Sequence, residues 1–145
     1  MADHIPPLPT KIHLLIVSAD RSLVNETVDE VEIPGCDGYF GVLPGHTPLL
    51  AALHVGELWY RQGSEKHYLS IAFGFAEVQP DRVTILAQIA EKASEIDLDR
   101  AEAAKKRAEE RIARPVIDMD AERARIALMK SLIRLQVAAR ARIRS

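Results

Sequence analysis

Histidine, cysteine and clustered acids are the side chains best able to hold a metal or move a proton, and this chain disperses them. Its histidines stand at 4, 13, 46, 54 and 67, with no pair at the spacing that puts two imidazoles on one helical face. Each is read as a structural or surface residue, so no metal set is expected. Cys36 is the sole cysteine, which rules out an internal disulfide or a cysteine metal site and fits a reducing compartment. There is no G-x-S-x-G, G-x-x-x-x-G-K-[ST] or H-E-x-x-H. Gly35-Cys36-Asp37-Gly38-Tyr39-Phe40-Gly41 resembles a glycine-rich phosphate loop only superficially. The Val42-Leu43-Pro44 that follows is extended, so no helix N-terminus is there to face an anion. Tight turns at the rim of a β structure account for these glycines better. With no converging nucleophile, base or metal set, the chain is expected to be non-catalytic.

The charged residues are more informative. Residues 1–92 carry 6 basic and 12 acidic groups, and residues 93–145 carry 13 and 9, so the two parts differ in sign, −6 against +4. Such asymmetry implies different tasks. After Asp120, Arg123, Arg125, Lys130, Arg134, Arg140, Arg142 and Arg144 face a single acid, Glu122. These cations form either a solvated helix face or a docking face for an acidic protein surface. Nucleic acid fits less well, because the rest of the chain is acidic and no aromatic residue follows Phe75.

The elements that would position these groups fall into two textures. From Ile12 to Leu86, short apolar or alternating runs are separated by turn signals: Ile12–Val17, Val28–Ile33, Val55–Arg61, Glu65–Ile71, Phe75–Val78 and Arg82–Leu86. Gln62-Gly63-Ser64 and Gln79-Pro80-Asp81 are good hairpin connections. The pattern predicts an antiparallel β-sandwich or barrel over 1–92. No glycine follows Gly74, and Asp97 to Arg114 is rich in strong helix formers. Ser94 or Asp97 could cap that helix, with Asp99 well placed in its first turn. Ala101, Ala104, Ala108 and Ile112 make its apolar stripe. Pro115-Val116-Ile117-Asp118 reads as a turn, and a second helix is predicted from about 120 to 142 with Ala121, Ala124, Leu128, Leu132, Leu135 and Ala139 on one face. The fold class is therefore α+β, an N-terminal antiparallel β-sandwich or barrel followed by an antiparallel two-helix hairpin over 93–145. Two amphipathic helices bury only one face each, so the hairpin needs a surface to lie on and should be easily displaced from it.

At 145 residues, with 48% hydrophobic and 28% charged side chains, the composition is that of a folded globular protein. No run of 18 apolar residues could span a membrane. The first nine residues have neither the basic and apolar regions of a signal peptide nor the character of a transit peptide, so the protein is expected to stay in the compartment where it is made.

Gly38-Tyr39-Phe40-Gly41-Val42-Leu43-Pro44-Gly45-His46-Thr47-Pro48-Leu49-Leu50 resembles the signature loop of the epsilon subunits of F-type ATP synthases, close to G-x-x-G-apolar-x-P-G-H-x-P-L-apolar. The strand leading into Val17-Ser18-Ala19, Ala76-Glu77-Val78-Gln79-Pro80 and Asp97 through Glu110 agree with that family in order and spacing. The resemblance covers the chain from Lys11 onward. It implies a rotor subunit of the central stalk, with a β-sandwich that binds the gamma subunit and rests on the c-subunit ring. It also implies a hairpin that either folds on the sandwich or extends toward the alpha/beta catalytic hexamer, meets an acidic segment of beta and blocks ATP hydrolysis. The implied location is the cytoplasmic face of the bacterial inner membrane, or a plastid thylakoid, with membrane association only through the complex.

The resemblance further implies c-ring or gamma contact through Asp37, Tyr39, Phe40 and His46, and inhibitory contacts through Arg123, Lys130 and Arg134. Some family members bind a regulatory ATP on the folded hairpin through an I/L-D-x-x-R-A motif. Ile96-Asp97-Leu98-Asp99-Arg100-Ala101 fits that motif. Glu91, Arg107 and Arg134 match its further positions, while Lys130 stands where tight binders carry arginine. Guanidinium groups grip phosphates bidentately, and a lysine supplies only a point charge. The alternative is a free-standing ATP-sensing module using Asp97, Arg100 and Arg107. Neither reading calls for a resident cofactor.

Overall fold

The computed structural model describes residues 5–116 and 120–143. Seven strands come first: β1 (Ile12–Val17), β2 (Ser22–Val28), β3 (Glu30–Gly35), β4 (Gly38–Val42), β5 (Leu49–Gln62), β6 (Glu65–Gln79) and β7 (Arg82–Lys92). After a 3-10 turn at Ala93–Glu95 come α1 (Leu98–Ala113) and α2 (Ala121–Ile143). The strands are ordered β2-β1-β7-β6-β5-β3-β4. All neighbours are antiparallel except β1 and β7, which run parallel with His13 opposite Arg82. The sheet folds over on itself. Gln62 Nε2 donates to Glu26 at 2.7 Å and to the Thr27 carbonyl at 3.1 Å, and the Asp29 N–H donates to the Arg61 carbonyl at 2.8 Å. These bonds tie β2 to the end of β5, a strand it does not neighbour in the ladder.

Between the layers lies one core, including Ile12, Leu14, Ile16, Val31, Ile33, Leu58, Leu69, Ile71 and Ile85, all at most 1% exposed. Among the described residues no helix residue belongs to it. Tyr60 is 6% exposed at its rim. Burial, with the Glu26 carboxylate adding to it, pushes the Tyr60 phenol up to about 12. A folded-state value above the unfolded one means that stability is intact below about pH 10 and is lost as pH climbs through the folded value. Alkaline titration of unfolding free energy should therefore fall between pH 10 and 12, and Tyr60→Phe should flatten that fall. An identical slope in both proteins would remove the assignment to Tyr60.

The strand expected at Val28–Ile33 is divided. Val28 closes β2 and Val31 and Ile33 belong to β3, with the break at Asp29. The Asp29 carboxylate takes Lys11 Nζ and the Gly63 N–H. The Lys11 bond, with Gly63 second, holds the carboxyl below its ordinary range. Buried residues at 28, 31 and 33 fall out of strict alternation across this break.

A sharp bend crosses the three long strands. Phe73 has φ +63° and Gly74 φ +122°. His54 and Phe73 face each other there with ring centroids 5.8 Å apart. Inward positions change parity at this line, from Leu69 and Ile71 to Ala76 and Val78 on β6, and from Leu53 to Leu58 and Tyr60 on β5. A one-residue slip in the pleat sends the opposite set of side chains outward. On one side of the bend the outer face is therefore Val55 and Glu57, Ser70 and Ala72, Ile89 and Glu91.

Both helices start on aspartates. The Asp97 carboxylate accepts from the Arg100 N–H at 3.1 Å and Asp120 from the Arg123 N–H at 3.2 Å, each satisfying an orphan donor of the first turn. α1 buries Ala101 and Ala108, while Ile112 is 41% exposed. On α2 the apolar face differs from the expected one. Ala124, Ser131, Val137 and Ala138 are buried, but Leu132 is 43% exposed and Ala121 and Ala139 are exposed. α2 touches both α1 and the sheet, so its covered surface is wider and rotated from the leucine stripe. Ser131 is tolerated there because its Oγ donates to the Leu128 carbonyl at 2.9 Å. Of the predicted 115–118 turn, Ile117 and Asp118 lie outside the described residues.

Candidate functional site

The hairpin lies on the outer face of the sheet, and two arginine forks hold it there. Arg134 Nε and Nη2 donate to the two Glu91 oxygens at 2.7 and 3.2 Å. Arg140 Nη2 and Nε donate to Glu57 at 3.2 and 3.3 Å. Glu57, Ser70 and Glu91 form one row across β5, β6 and β7, so the two acids stand two strand spacings apart, roughly 10 Å. Six helical residues rise about 9 Å, and the arginine spacing matches. Three-residue steps of −60° place Arg134 and Arg140 on either side of Val137, which is 0% exposed. Val137 and Ala138 pack with Ile96, Tyr68, Ala93, Leu98 and Ile133 in a small cluster separate from the main core. The Arg140 guanidinium also lies 5.0 Å from the Tyr68 ring centroid. The Glu57 carboxylate raises the Arg140 pKa above its ordinary value.

The sequence missed Glu57 and the role of Arg140. One signal was available, since Glu57 is the only acid between Leu49 and Gln62, and the structure buries it to 6% exposure. A lone carboxylate there needs a cationic partner.

Glu91, Lys130 and Arg134 share a cleft of about 310 Å³ between the sheet and the helices, with Ala104 and Ser131 also lining it. Lys130 Nζ is 5.7 Å from the Phe73 ring centroid. Arg100 and Arg107 are exposed on α1, flanking Ala104 at helical i, i+4, i+7 spacing. Ile96 and Ala101 are buried and serve as packing residues, and the Asp97 carboxylate is engaged as the N-cap. The structure thus gathers two of the expected nucleotide residues, Glu91 and Arg134, in one cleft with Lys130, and it places Arg100 and Arg107 on the helix beside it. Of the three expected inhibitory residues, Arg123 is exposed, Lys130 is half-buried at Phe73, and Arg134 is committed to Glu91.

At the other end, Asp37, Tyr39 and Phe40 line a cleft of about 410 Å³ with Leu49 and Leu50. His46 lies apart on the loop after β4, its Nδ1 2.6 Å from the Thr47 carbonyl. The Tyr39 hydroxyl accepts from the Glu57 N–H at 3.0 Å, which fixes the ring while leaving it 54% exposed. Leu43, Leu50, Phe75 and Leu86 are each more than half exposed. Phase of the strands alone did not reveal this set, because the bend at Phe73 decides which residues turn outward.

Comparison with known proteins agrees with this architecture. Residues 11–93 match the ATP synthase Delta/Epsilon chain beta-sandwich domain, and residues 94–139 match the long alpha-helix domain of the same chain. The ATP synthase epsilon chain of Nitratidesulfovibrio vulgaris (strain DP4) is 46% identical over 126 residues, covering 87% of this chain and 94% of the relative. That of Lawsonia intracellularis is 52% identical over 101 residues, 70% and 76% of the two chains. A chain in the Euglena gracilis mitochondrial ATP synthase structure, which contains OSCP, F1 and the c-ring, superposes with a TM-score of 0.80 at 27% identity, covering 95% and 87%. With both of its parts matched, this chain belongs to the ATP synthase delta/epsilon family and is an epsilon-type subunit of an F-type ATP synthase.

Proposed function

We propose that this chain couples the central stalk to the c ring and restrains ATP hydrolysis through its C-terminal hairpin, without catalytic residues of its own. The attachment of α2 carries the reading. It rests on a small apolar cluster and two arginine forks, outside the sandwich core. An element held this way has a second position within a few kcal/mol. In the released position Arg123, Lys130 and Arg134 are available to an acidic segment of the beta subunit. The exposed Leu43, Leu50, Phe75 and Leu86, with Asp37, Tyr39, Phe40 and His46, supply the surface for the gamma subunit and the c ring. No helix among the described residues is long and apolar enough to cross a membrane, and we place the subunit peripherally on the cytoplasmic face, held by its partners. ATP bound through Glu91, Lys130, Arg134, Arg100 and Arg107, with Ile96, Asp97 and Ala101 shaping the wall, would favour the folded hairpin.

The test is ATP hydrolysis by the cognate catalytic complex stripped of this subunit, with the full chain or a version ending at Lys92 added back. The shorter version keeps the whole sandwich core. The full chain should lower the rate, and the short one should bind without lowering it. Binding of both without inhibition would leave a coupling spacer and remove the regulatory claim. A second reading, a free-standing ATP sensor, is favoured by one observation: the cleft of Glu91, Lys130 and Arg134 lies wholly within the chain. Failure of both versions to bind the complex, together with saturable ATP binding, would select it.

A further inference from the structure

A third cleft, of about 420 Å³, opens where the far end of α2 meets the sheet, and shares no residue with the cleft of Glu91, Lys130 and Arg134. Lys66, His67 and Tyr68 from β6, Lys92 from the end of β7, Ser94 and Arg140 are among its lining. The sandwich is acidic overall, and Lys11, Arg21 and Arg61 are all held by carboxylates. Among the described residues Lys66, Arg82 and Lys92 make no ion pair, and two of these three converge on this cleft. Lys66 instead lies 4.2 Å over the Trp59 ring, which keeps its charge uncompensated.

His67 adds an independent sign. It stacks on Tyr60 at 4.9 Å, and its Nε2 is shielded from water without a hydrogen-bond partner. The nearest carboxylate oxygen, on Glu65, is 3.8 Å away, too far for a bond. A buried ring nitrogen left unpaired is costly until something supplies a partner. β6 also begins at Glu65, four residues before its pairing with β7 starts at Leu69, so the wall of the cleft is an open strand edge. Among the described residues Glu26 is the only acid in the lining, where its carboxylate accepts from Gln62.

Two lysines without an ion pair, an unpaired imidazole nitrogen and a serine hydroxyl, beside an arginine whose charge is already met by Glu57, suit a small anion with several oxygens and more than one charge. We propose that this cleft binds a free, multiply charged phosphate compound, which is enclosed only while α2 lies on the sheet because Arg140 forms one wall. The site is distinct from the nucleotide cleft on the hairpin and does not depend on it.

Isothermal titration of the full chain with inorganic pyrophosphate tests the proposal. Saturable binding is expected, weakened by roughly tenfold or more in Lys66→Gln/Lys92→Gln and unchanged in Arg82→Gln, the remaining unpaired cation of the sandwich, which does not line this cleft. Lys92→Glu, at an exposed position outside every ion pair, guards against a fold defect in the double variant and should abolish binding alone. The His67 ring resonances should shift on titration. Absence of saturable binding at millimolar pyrophosphate overturns the proposal. So does equal binding by Lys92→Glu, and so does loss in Arg82→Gln, which would place the anion outside this cleft.

Discussion

Replacing Arg134 and Arg140 together by alanine is expected to release the hairpin while leaving the sandwich folded. Both forks are only partly shielded, with arginine side chains 22% and 42% exposed. The contribution of each is therefore nearer that of a surface pair than of a buried one, about 1–2 kcal/mol. The asymmetry at Glu57 decides the outcome. Its side chain is 7% exposed, so without Arg140 the docked state holds an unpaired carboxylate. Undocking returns that carboxylate to water, which makes it the cheapest relief. Together the two losses amount to roughly 3 kcal/mol, a shift of about 100-fold toward the released form. Hydrogen exchange should show amides of 98–113 and 121–143 losing protection, with protease cutting after Lys92, while the core strands stay protected. Double replacement by lysine should give an intermediate result, keeping the charge and losing the fork. Unchanged protection in the alanine variant would mean that the apolar cluster alone holds α2.

Gly74→Ala is expected to be the most damaging single substitution in the sandwich. A Cβ at this position would lie 2.0 Å from the Leu86 carbonyl oxygen and 2.9 Å from the Ala87 Cα. Both are backbone atoms of β7 and cannot rotate away. The φ of +122° is itself open only to glycine. Relief requires β6 and β7 to part at the bend, breaking ladder bonds and reopening core around Ala76 and Ile85. A loss above about 4 kcal/mol is expected, close to the whole stability of a small domain. Denaturant unfolding measures it, and a loss below about 1 kcal/mol would show that the bend does not need glycine. Because Glu57 and Glu91 reach the outer face through the same slip of the pleat, a surviving variant should also dock its hairpin poorly.

The β-sandwich and hairpin were legible because each has its own grammar: alternation with turns up to Leu86, then alanine, glutamate and arginine without glycine. The Asp97 cap was legible from its place before an apolar period. Three features were not. The break at Asp29 depends on Lys11 and Gly63 meeting one carboxylate from distant positions. The outward set on β5, β6 and β7 depends on a bend at Phe73, a bulky residue for which positive φ is not foreseeable from type. The face of α2 depends on a second surface beneath it, so its periodicity pointed to Leu132 where packing chose Val137. Within the candidate site the acids and arginines were all visible as residues. Their pairing required knowing that strands 5 and 7 stand two places apart.

The parallel pair β1 and β7 carries a consequence for the order of folding. His13 must find Arg82, so the first strand has no permanent neighbour on that side until the last strand has been made. Closing so long a loop costs entropy before any contact repays it, and such pairings slow the search. On the ribosome, β1 and β2 wait as an exposed ribbon while the β5–β6–β7 meander forms from local turns. α2 can take its place only after Glu91 has joined that meander, since one of its two anchors belongs to β7. Docking of the hairpin is therefore the last event of assembly as well as the first to be undone, and every newly made chain passes through the released form on its way to the closed one.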